Sequence, residues 1–187
     1  MGRVIYSMSV SLDGFVDTPS HSLEWVHVDE ELHGAFNAEA REMSAFLYGR
    51  RMYELMTAYW PTAEDDPRAT PAMVEFGRIW KDRPKLVASR SLDQVSWNSG
   101  LLGDEFLDEV ARLRAQPGYE MSVGGPTTAA GLWRRGLIDE CRLYVHPVII
   151  GAGTPFFPPL EQPTQLRLLG TRTFSSGVVH LRYSVGR

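Results

Sequence analysis

Short blocks of alternating and helically spaced apolar residues run the length of the chain. From Arg3 to Leu12 every second residue is apolar, while serines occupy most of the opposite face, which is the two-residue period of a β-strand. Short apolar runs predict further strands at 45–48, 85–88, 95–97, 119–123 and 141–150. Helical spacing predicts helices that begin near residues 29, 52, 72, 104 and 126.

Two apolar runs close the chain, at 166–174 and 178–185, and the turn residues between them predict a hairpin. Strands that alternate with helices and then give way to a hairpin are typical of a three-layer α/β domain. The central sheet is expected to be mostly parallel with an antiparallel C-terminal hairpin. Pro147 lies inside the run 141–150, which predicts an edge strand or a bulge there. The 187 residues fit one domain, 1–187.

Composition and charge narrow the possible functions. The net charge is −4 and no block of like charge exists, so no nucleic-acid or anionic-membrane partner is expected. The single cysteine, Cys141, excludes an intramolecular disulfide and a cysteine-rich zinc site. His21, His27 and His33 lack the spacing of metal ligands, so no metal is expected. Apolar runs fall short of the ~20 residues of a membrane span, and strand-like sequence begins directly at the N-terminus, so the protein is expected to be cytoplasmic.

A glycine pair, Gly124 and Gly125, separates the predicted strand 119–123 from a helix that opens with Pro126 and Thr127. Glycine lets the backbone approach a ligand closely, and the first N–H groups of a helix can bind an anion. These residues suggest a phosphate-bearing ligand such as a nucleotide cofactor. A tight turn between strand and helix, with no ligand, explains the same residues equally well.

Two other predicted strands end in residues that suit phosphate. Gly49 is followed by Arg50 and Arg51 at the start of a helix, and Ser89 with Arg90 follows the strand 85–88. Arginine binds phosphate through a planar set of donors. A pair of surface arginines after a glycine turn is the alternative interpretation.

The first strand offers two further features of a binding site. Its three serines, Ser7, Ser9 and Ser11, leave space for a flat ring against the sheet, although small hydroxyl side chains are also common on a solvent-facing side. Asp13 comes directly after this strand, and ligands in open α/β sheets bind at the carboxyl ends of the strands.

Several motifs occur together in a recognisable order along nearly the whole chain. They are Ser11–Gly14, Leu47–Glu54, Val87–Leu92, Val123–Pro126, Leu137–Glu140 and Pro147–Gly153. This ordered set resembles the stand-alone relatives of the reductase domain (the RibD C-terminal domain) of the bifunctional riboflavin-pathway deaminase-reductase. Those proteins share the dihydrofolate-reductase-like fold. The zinc signature of the deaminase half is absent from this sequence.

The resemblance implies an NADPH site at the three strand ends. Gly49, Arg50 and Arg51 would hold phosphates, and Ser89 with Arg90 would meet the adenosine 2′-phosphate. The glycine pair would lie under the pyrophosphate and nicotinamide, with the following helix start completing the cofactor site. The further cofactor-binding residues that it implies are Ser9, Gly124, Gly125, Pro126, Thr127 and Thr128.

Dihydrofolate reductases carry one carboxylate near the start of the first helix, which anchors and helps protonate the substrate. The corresponding region here contains Asp29, Glu30 and Glu31, and Asp13 is a further candidate for this catalytic acid. Trp25 lies in the preceding loop, where an aromatic ring could shield the substrate or pack in the core.

These expectations lead to two functional hypotheses. The first is an NADPH-dependent reductase that transfers a hydride directly to a small planar heterocycle, pterin-like or like a riboflavin precursor. The second is a nucleotide-binding or regulatory protein of the same fold without reductase activity. An acid among Asp13 and residues 29–31 that faces the cleft near Ser9 would favour the reductase. A homodimer is expected from the resemblance and from the apolar run Leu143–Ile150, which would need cover at a sheet edge.

Overall fold

Strands and helices alternate along the chain in a computed structural model that describes residues 1–186. The strands are β1 Arg3–Ser11, β2 Phe15–Asp17, β3 Ala45–Gly49, β4 Lys85–Ala88, β5 Ser99–Leu102, β6 Glu120–Gly124, β7 Glu140–His146, β8 Thr154–Pro155, β9 Leu166–Thr173 and β10 Val179–Val185. The α-helices are α1 Glu30–Glu42, α2 Arg50–Thr57, α3 Pro71–Asp82, α4 Phe106–Arg114 and α5 Pro126–Arg134, and a 3₁₀ helix spans Trp60–Asp65.

One eight-stranded sheet forms the middle of the molecule, in the order β5-β4-β3-β6-β1-β7-β10-β9. The six strands β5, β4, β3, β6, β1 and β7 run parallel to one another, whereas β10 runs antiparallel to both β7 and β9. The predicted α/β fold, with a mostly parallel central sheet and an antiparallel C-terminal hairpin, is therefore confirmed. The short strands β2 and β8 form a separate antiparallel pair beside it.

The alternation in β1 divides the core between the two faces of the sheet. Val4 and Tyr6 pack with residues of α4 and α5 in one cluster. Ile5 packs on the other face with Ala40 of α1 and Trp80 of α3. Helices therefore cover both faces of the sheet. The physical reason is that successive side chains of a strand point to opposite faces, so that β1 presents apolar side chains to both.

Capping side chains and prolines mark the N-termini of several helices. The Asp29 carboxylate accepts a hydrogen bond from the Leu32 N–H at the start of α1, and the Thr70 hydroxyl accepts one from the Met73 N–H at the start of α3. Proline occupies the first turn of both α3 and α5. The predicted helix near residue 29 therefore begins where its capping residue indicates.

The prediction that the run 141–150 forms an edge strand is wrong. Strand β7 ends at His146, just before Pro147, and lies between β1 and β10 rather than at an edge. The C-terminal hairpin folds back beside β7 and supplies the hydrogen bonds that an edge strand would lack. The apolar run Leu143–Ile150 therefore gives no support to a homodimer.

One local prediction also differs from the structure. The strand expected at 95–97 lies instead at Ser99–Leu102, because Trp97 and Asn98 have positive φ angles, which interrupt an extended backbone. The segment between α2 and α3 contains the 3₁₀ helix Trp60–Asp65. None of the helices in residues 1–186 combines the length and apolar character that crossing a bilayer requires.

Candidate functional site

Two adjoining cavities lie on and beside the central sheet. The larger, of about 370 Å³, lies at the strand ends and is called the strand-end cavity. It is lined by Met8, Val16, Asp17, His21, Leu23, Gly49, Arg50, Arg51, Met52, Leu55, Ala88, Gly125, Pro126, Thr127, Thr128 and Thr154. The smaller, of about 170 Å³, lies between the sheet and helices α1 to α3 and is called the sheet-face cavity. Met8 and Met52 line both, so the two cavities meet at these side chains.

The strand-end cavity is built around two helix N-termini. Gly49 immediately precedes α2, and Gly125, with φ of 106°, immediately precedes α5. A Cβ atom on Gly49 would lie 2.5 Å from Thr128 Oγ1, a distance that real side chains do not adopt. Glycine at both positions therefore lets two helix starts approach each other, with their free N–H groups at one cavity.

Two arginines at the start of α2 give this cavity a positive side. Arg50 donates from Nε to Glu54 at 2.8 Å and from Nη1 to the Ser91 hydroxyl at 3.0 Å. Arg51 forms an ion pair with Asp17 of β2. Both arginines keep more than half of their side-chain surface exposed, at 53% and 60%. They are accessible to an anion in the cavity.

Asp17 is the buried acid of the strand-end cavity. Its carboxylate accepts a hydrogen bond from the Thr154 N–H at 3.2 Å and lies 2.9 Å from His21 Nδ1. Burial raises the pKa of Asp17, but its hydrogen bonds with Thr154, His21 and Arg51 outweigh burial and lower the pKa overall. Asp17 is therefore ionised at neutral pH and opposes the charge of Arg51.

Ser89 and Arg90 extend beyond the cavity, although Ala88 just before them lines it. The Ser89 hydroxyl accepts hydrogen bonds from the N–H groups of Ser91 and Leu92, both at 3.2 Å, and so shapes the turn after β4. Arg90 Nε lies 3.7 Å from Asp104 Oδ1, and both side chains are 83% exposed. This turn is close to Arg50, which contacts it through Ser91.

The acids expected from the sequence line neither cavity. Asp13 accepts hydrogen bonds from the N–H groups of Ile150 and Gly151, at 3.2 and 2.8 Å, and holds the loop after β7. Asp29 caps α1, and Glu30 beside it is exposed. Glu31 accepts from the backbone and hydroxyl of Ser175.

A different acid, Glu39 in the C-terminal half of α1, lines the sheet-face cavity. Its Oε1 lies 3.2 Å from Arg142 Nη1 and 3.4 Å from His180 Nε2. Burial raises the pKa of Glu39, and the Arg142 charge opposes that rise. The sequence does contain a signal for Glu39, because it falls within the helical stripe that includes Phe36, Ala40 and Met43.

The serines of β1 lie in two different environments. Ser7 lines the sheet-face cavity, whereas Ser9 lies outside both cavities and its hydroxyl is 3.2 Å from His146 Nε2. Trp25 packs edge-on against the ring of His146, with ring centroids 5.6 Å apart, and does not line either cavity. Trp25 and Ser9 thus form a cluster around His146.

Residues 3–180 match the family model of the RibD C-terminal domain. This chain belongs to the RibD C-terminal domain family. An uncharacterized protein of Bacillus subtilis, YyaP, is 32% identical over 97% of this chain and 94% of its own length. A second uncharacterized protein of the same organism, YwjB, is 25% identical over 94% of each chain.

Solved structures of similar fold include a dihydrofolate reductase. A putative riboflavin biosynthesis protein from Shewanella sp. PV-4 has a TM-score of 0.76 at 21% identity, with 99% of both chains covered. Dihydrofolate reductase from Enterococcus faecalis, in a complex with NADP(H), has a TM-score of 0.64 at 14% identity, over 99% of this chain and 97% of that chain. The Thermotoga maritima deaminase/reductase has a TM-score of 0.68 at 12% identity and is covered over 57% of its length. At these identities the similarity establishes the fold.

The strand-end cavity of this RibD C-terminal domain has hydrogen-bond donors that suit a phosphate group. The donors are two helix starts, two accessible arginines and the hydroxyl groups of Thr127 and Thr128. A Cβ atom on Gly49 would intrude among them. Among residues 1–186, no group of three or more His, Cys, Asp or Glu side chains is arranged to hold a metal ion.

Proposed function

We propose that the protein is an NADPH-dependent reductase of a small planar heterocycle. The observation that carries this proposal is the junction of the two cavities at Met8 and Met52. On one side lies a phosphate-binding set of helix starts and arginines. On the other lies an apolar cavity with a single carboxylate, that of Glu39. A cofactor in the first and a ring in the second would meet at the two methionines.

In this proposal the strand-end cavity holds the dinucleotide. The N–H groups after Gly49 and Gly125 bind phosphate, and Arg50 and Arg51 neutralise its charge. Bound reduced nicotinamide supplies a hydride. Ser89 and Arg90, at the turn that Arg50 contacts, meet the 2′-phosphate and favour NADPH over NADH.

Glu39 takes the role that the sequence suggested for Asp13, Asp29 or Glu30. Its carboxylate faces the sheet-face cavity, whereas those of Asp13 and Asp29 are hydrogen-bonded to backbone N–H groups elsewhere. Burial raises the pKa of Glu39, which is the direction that a proton donor requires. The Arg142 guanidinium fixes the position of the carboxylate.

A titration with NADPH and NADH, followed by quenching of the five tryptophans, tests the cofactor assignment. We expect saturable binding with a clear preference for NADPH. A screen of pterins and flavin precursors, followed by loss of NADPH absorbance, then tests the reaction. Binding of NADPH without turnover of any ring compound would favour the nucleotide-binding or regulatory alternative. Binding of neither cofactor would overturn the proposal.

A homodimer, which the family resemblance implies, would use a different surface from the one that the sequence suggested. Strand β9 lies at the edge of the sheet and exposes Leu168 and Leu169. An exposed apolar edge favours pairing with another strand. Light scattering of the protein and of Leu168→Lys tests this surface, with loss of a dimer expected in the variant.

A further inference from the structure

The charges inside the sheet-face cavity cancel. Glu39 and Arg142 are its two charged lining residues, and they form an ion pair of 3.2 Å with each other. Arg142 is 3% exposed, and its Nε also donates to Glu140 at 2.7 Å. The guanidinium therefore has a carboxylate on two sides, and the lining of the cavity has no net charge.

A ligand anion has no free cation to meet in this cavity. Arg142 could bind one only by leaving Glu39, and a partly buried carboxylate that loses its partner is destabilising. His180 lies beside Glu39, but burial first and then the neighbouring arginines lower its pKa to about 4, so it is neutral at pH 7. Arg50 and Arg51 line the other cavity.

The size of the sheet-face cavity and the chemistry of its lining residues suit the ring of a ligand without a large substituent. Pockets for drug-sized ligands are roughly 300–1,000 Å³, whereas this cavity measures about 170 Å³. Its walls include four methionines, whose flexible thioethers pack well against aromatic rings. They are Met8, Met43, Met52 and Met56. Such a cavity accommodates a flat ring system without a bulky substituent.

We propose that the sheet-face cavity selects an uncharged planar ring compound and rejects rings that carry a carboxylate or a phosphate. Glu39 determines this specificity by contact with the ring, and Arg142 is its positioning residue. The proposal rests on the proposed function in one respect, namely that this cavity is the substrate site. It restricts the heterocycle to unphosphorylated, non-anionic compounds.

The direct test compares two fluorescent probes that differ by one carboxylate, pterin and pterin-6-carboxylate, on the wild-type protein at pH 7. We expect pterin to bind tighter by ~10-fold or more, because the carboxylate would lie beside Glu39 without a cation. Equal or tighter binding of pterin-6-carboxylate would overturn the proposal. So would failure of pterin to bind.

Two variants change the cavity charge in opposite directions. Glu39→Gln makes the lining positive and should shift selectivity toward pterin-6-carboxylate, whereas Arg142→Gln makes it negative and should shift selectivity further toward pterin. Loss of packing alone would weaken both probes together and cannot produce opposite shifts. Glu42→Gln, an exposed position on the same helix, is the matched control and should leave the ratio unchanged. Shifts in the same direction in the two cavity variants would contradict the assignment.

NADPH binding is measured in parallel by tryptophan quenching, so that the two proposals can fail separately. Normal NADPH binding without a preference for pterin would refute the specificity and leave the cofactor assignment intact. A preference for pterin without NADPH binding would support the specificity and refute the reductase.

Discussion

A Cβ atom on Gly49 would lie 2.5 Å from the Thr128 hydroxyl oxygen. Gly49 precedes α2 and Thr128 lies in the first turn of α5, so this one approach brings the two helix starts of the strand-end cavity together. The distance explains why glycine is required there although its backbone angles are ordinary for any residue. A side chain at position 49 would displace the Thr128 hydroxyl from its place beside the helix starts.

Gly49→Ala should therefore weaken NADPH binding by ~10-fold while the protein remains folded, because the added methyl group displaces the Thr128 hydroxyl and fills space where the helix starts would donate to a phosphate group. Tryptophan quenching measures the affinity. Gly34→Ala is the matched control, since no atom lies within 4 Å of a Cβ at Gly34 in α1. Unchanged NADPH affinity in Gly49→Ala would argue against a phosphate at this place.

Arg50→Ala should weaken NADPH more than NADH. Arg50 contacts the turn of Ser89 to Ser91 through the Ser91 hydroxyl, so its loss removes a phosphate partner and loosens the proposed 2′-phosphate site. We expect a loss of ~10-fold for NADPH that shrinks at high salt. Arg134→Ala, an exposed arginine at the end of α5, provides the control. Equal losses for the two cofactors would place Arg50 away from the 2′-phosphate.

Asp17→Asn should tighten NADPH binding. Asp17 is an ionised carboxylate inside the strand-end cavity, where it pairs with Arg51 and repels phosphate. Removing its charge frees Arg51, and we expect an affinity gain of roughly 3-fold that is larger at low salt. Asp65→Asn, exposed and outside both cavities, makes the same change of net charge. Weaker binding in Asp17→Asn would mean that Asp17 mainly holds β2 against β8.

The stability of the protein should fall between pH 7 and pH 5, in part through His180. Burial first, and then Arg142 and Arg182, lower the pKa of His180 from 6.5 to about 4 in the folded protein. Below pH 6.5 the unfolded chain therefore binds a proton that the folded protein excludes. The stability that His180 contributes is present above pH 6.5 and is lost as the pH falls toward 4.

Urea unfolding at pH 7 and pH 5 checks this prediction. From these two pKa values His180 accounts for ~2 kcal/mol of the loss, and His180→Gln should reduce the loss by about that amount. Glu39, Arg142, Glu140, Arg172 and Arg182 also act on this site. The raised pKa of Glu39 acts in the opposite direction, because the folded protein then binds its proton more readily. An unchanged loss in His180→Gln would show that His180 already carries its charge at pH 5.

The sequence alone determined the features that depend on neighbouring residues. Alternation in Arg3–Ser11 predicted a strand with one apolar face and one serine-rich face, and Asp29 and Pro126 predicted helix starts, because caps and periods act within a few residues. Part of the lining of the strand-end cavity, namely the residues at two helix starts, was also among the sequence candidates. Parallel strands end on one side of a sheet, so the residues after them, such as Gly49 and Gly125, converge there.

Only the tertiary structure decided the features that depend on distant partners. The central position of β7 depends on the hairpin that pairs with it, which the apolar run itself does not encode. The carboxylate of Asp13 is bound to Gly151, whereas Glu39 faces a cavity, because those partners come from strands and loops far along the chain. Arg142 reaches Glu39 only when β7 packs beneath α1. The environment of an acid, and with it the pKa, is a property of that packing.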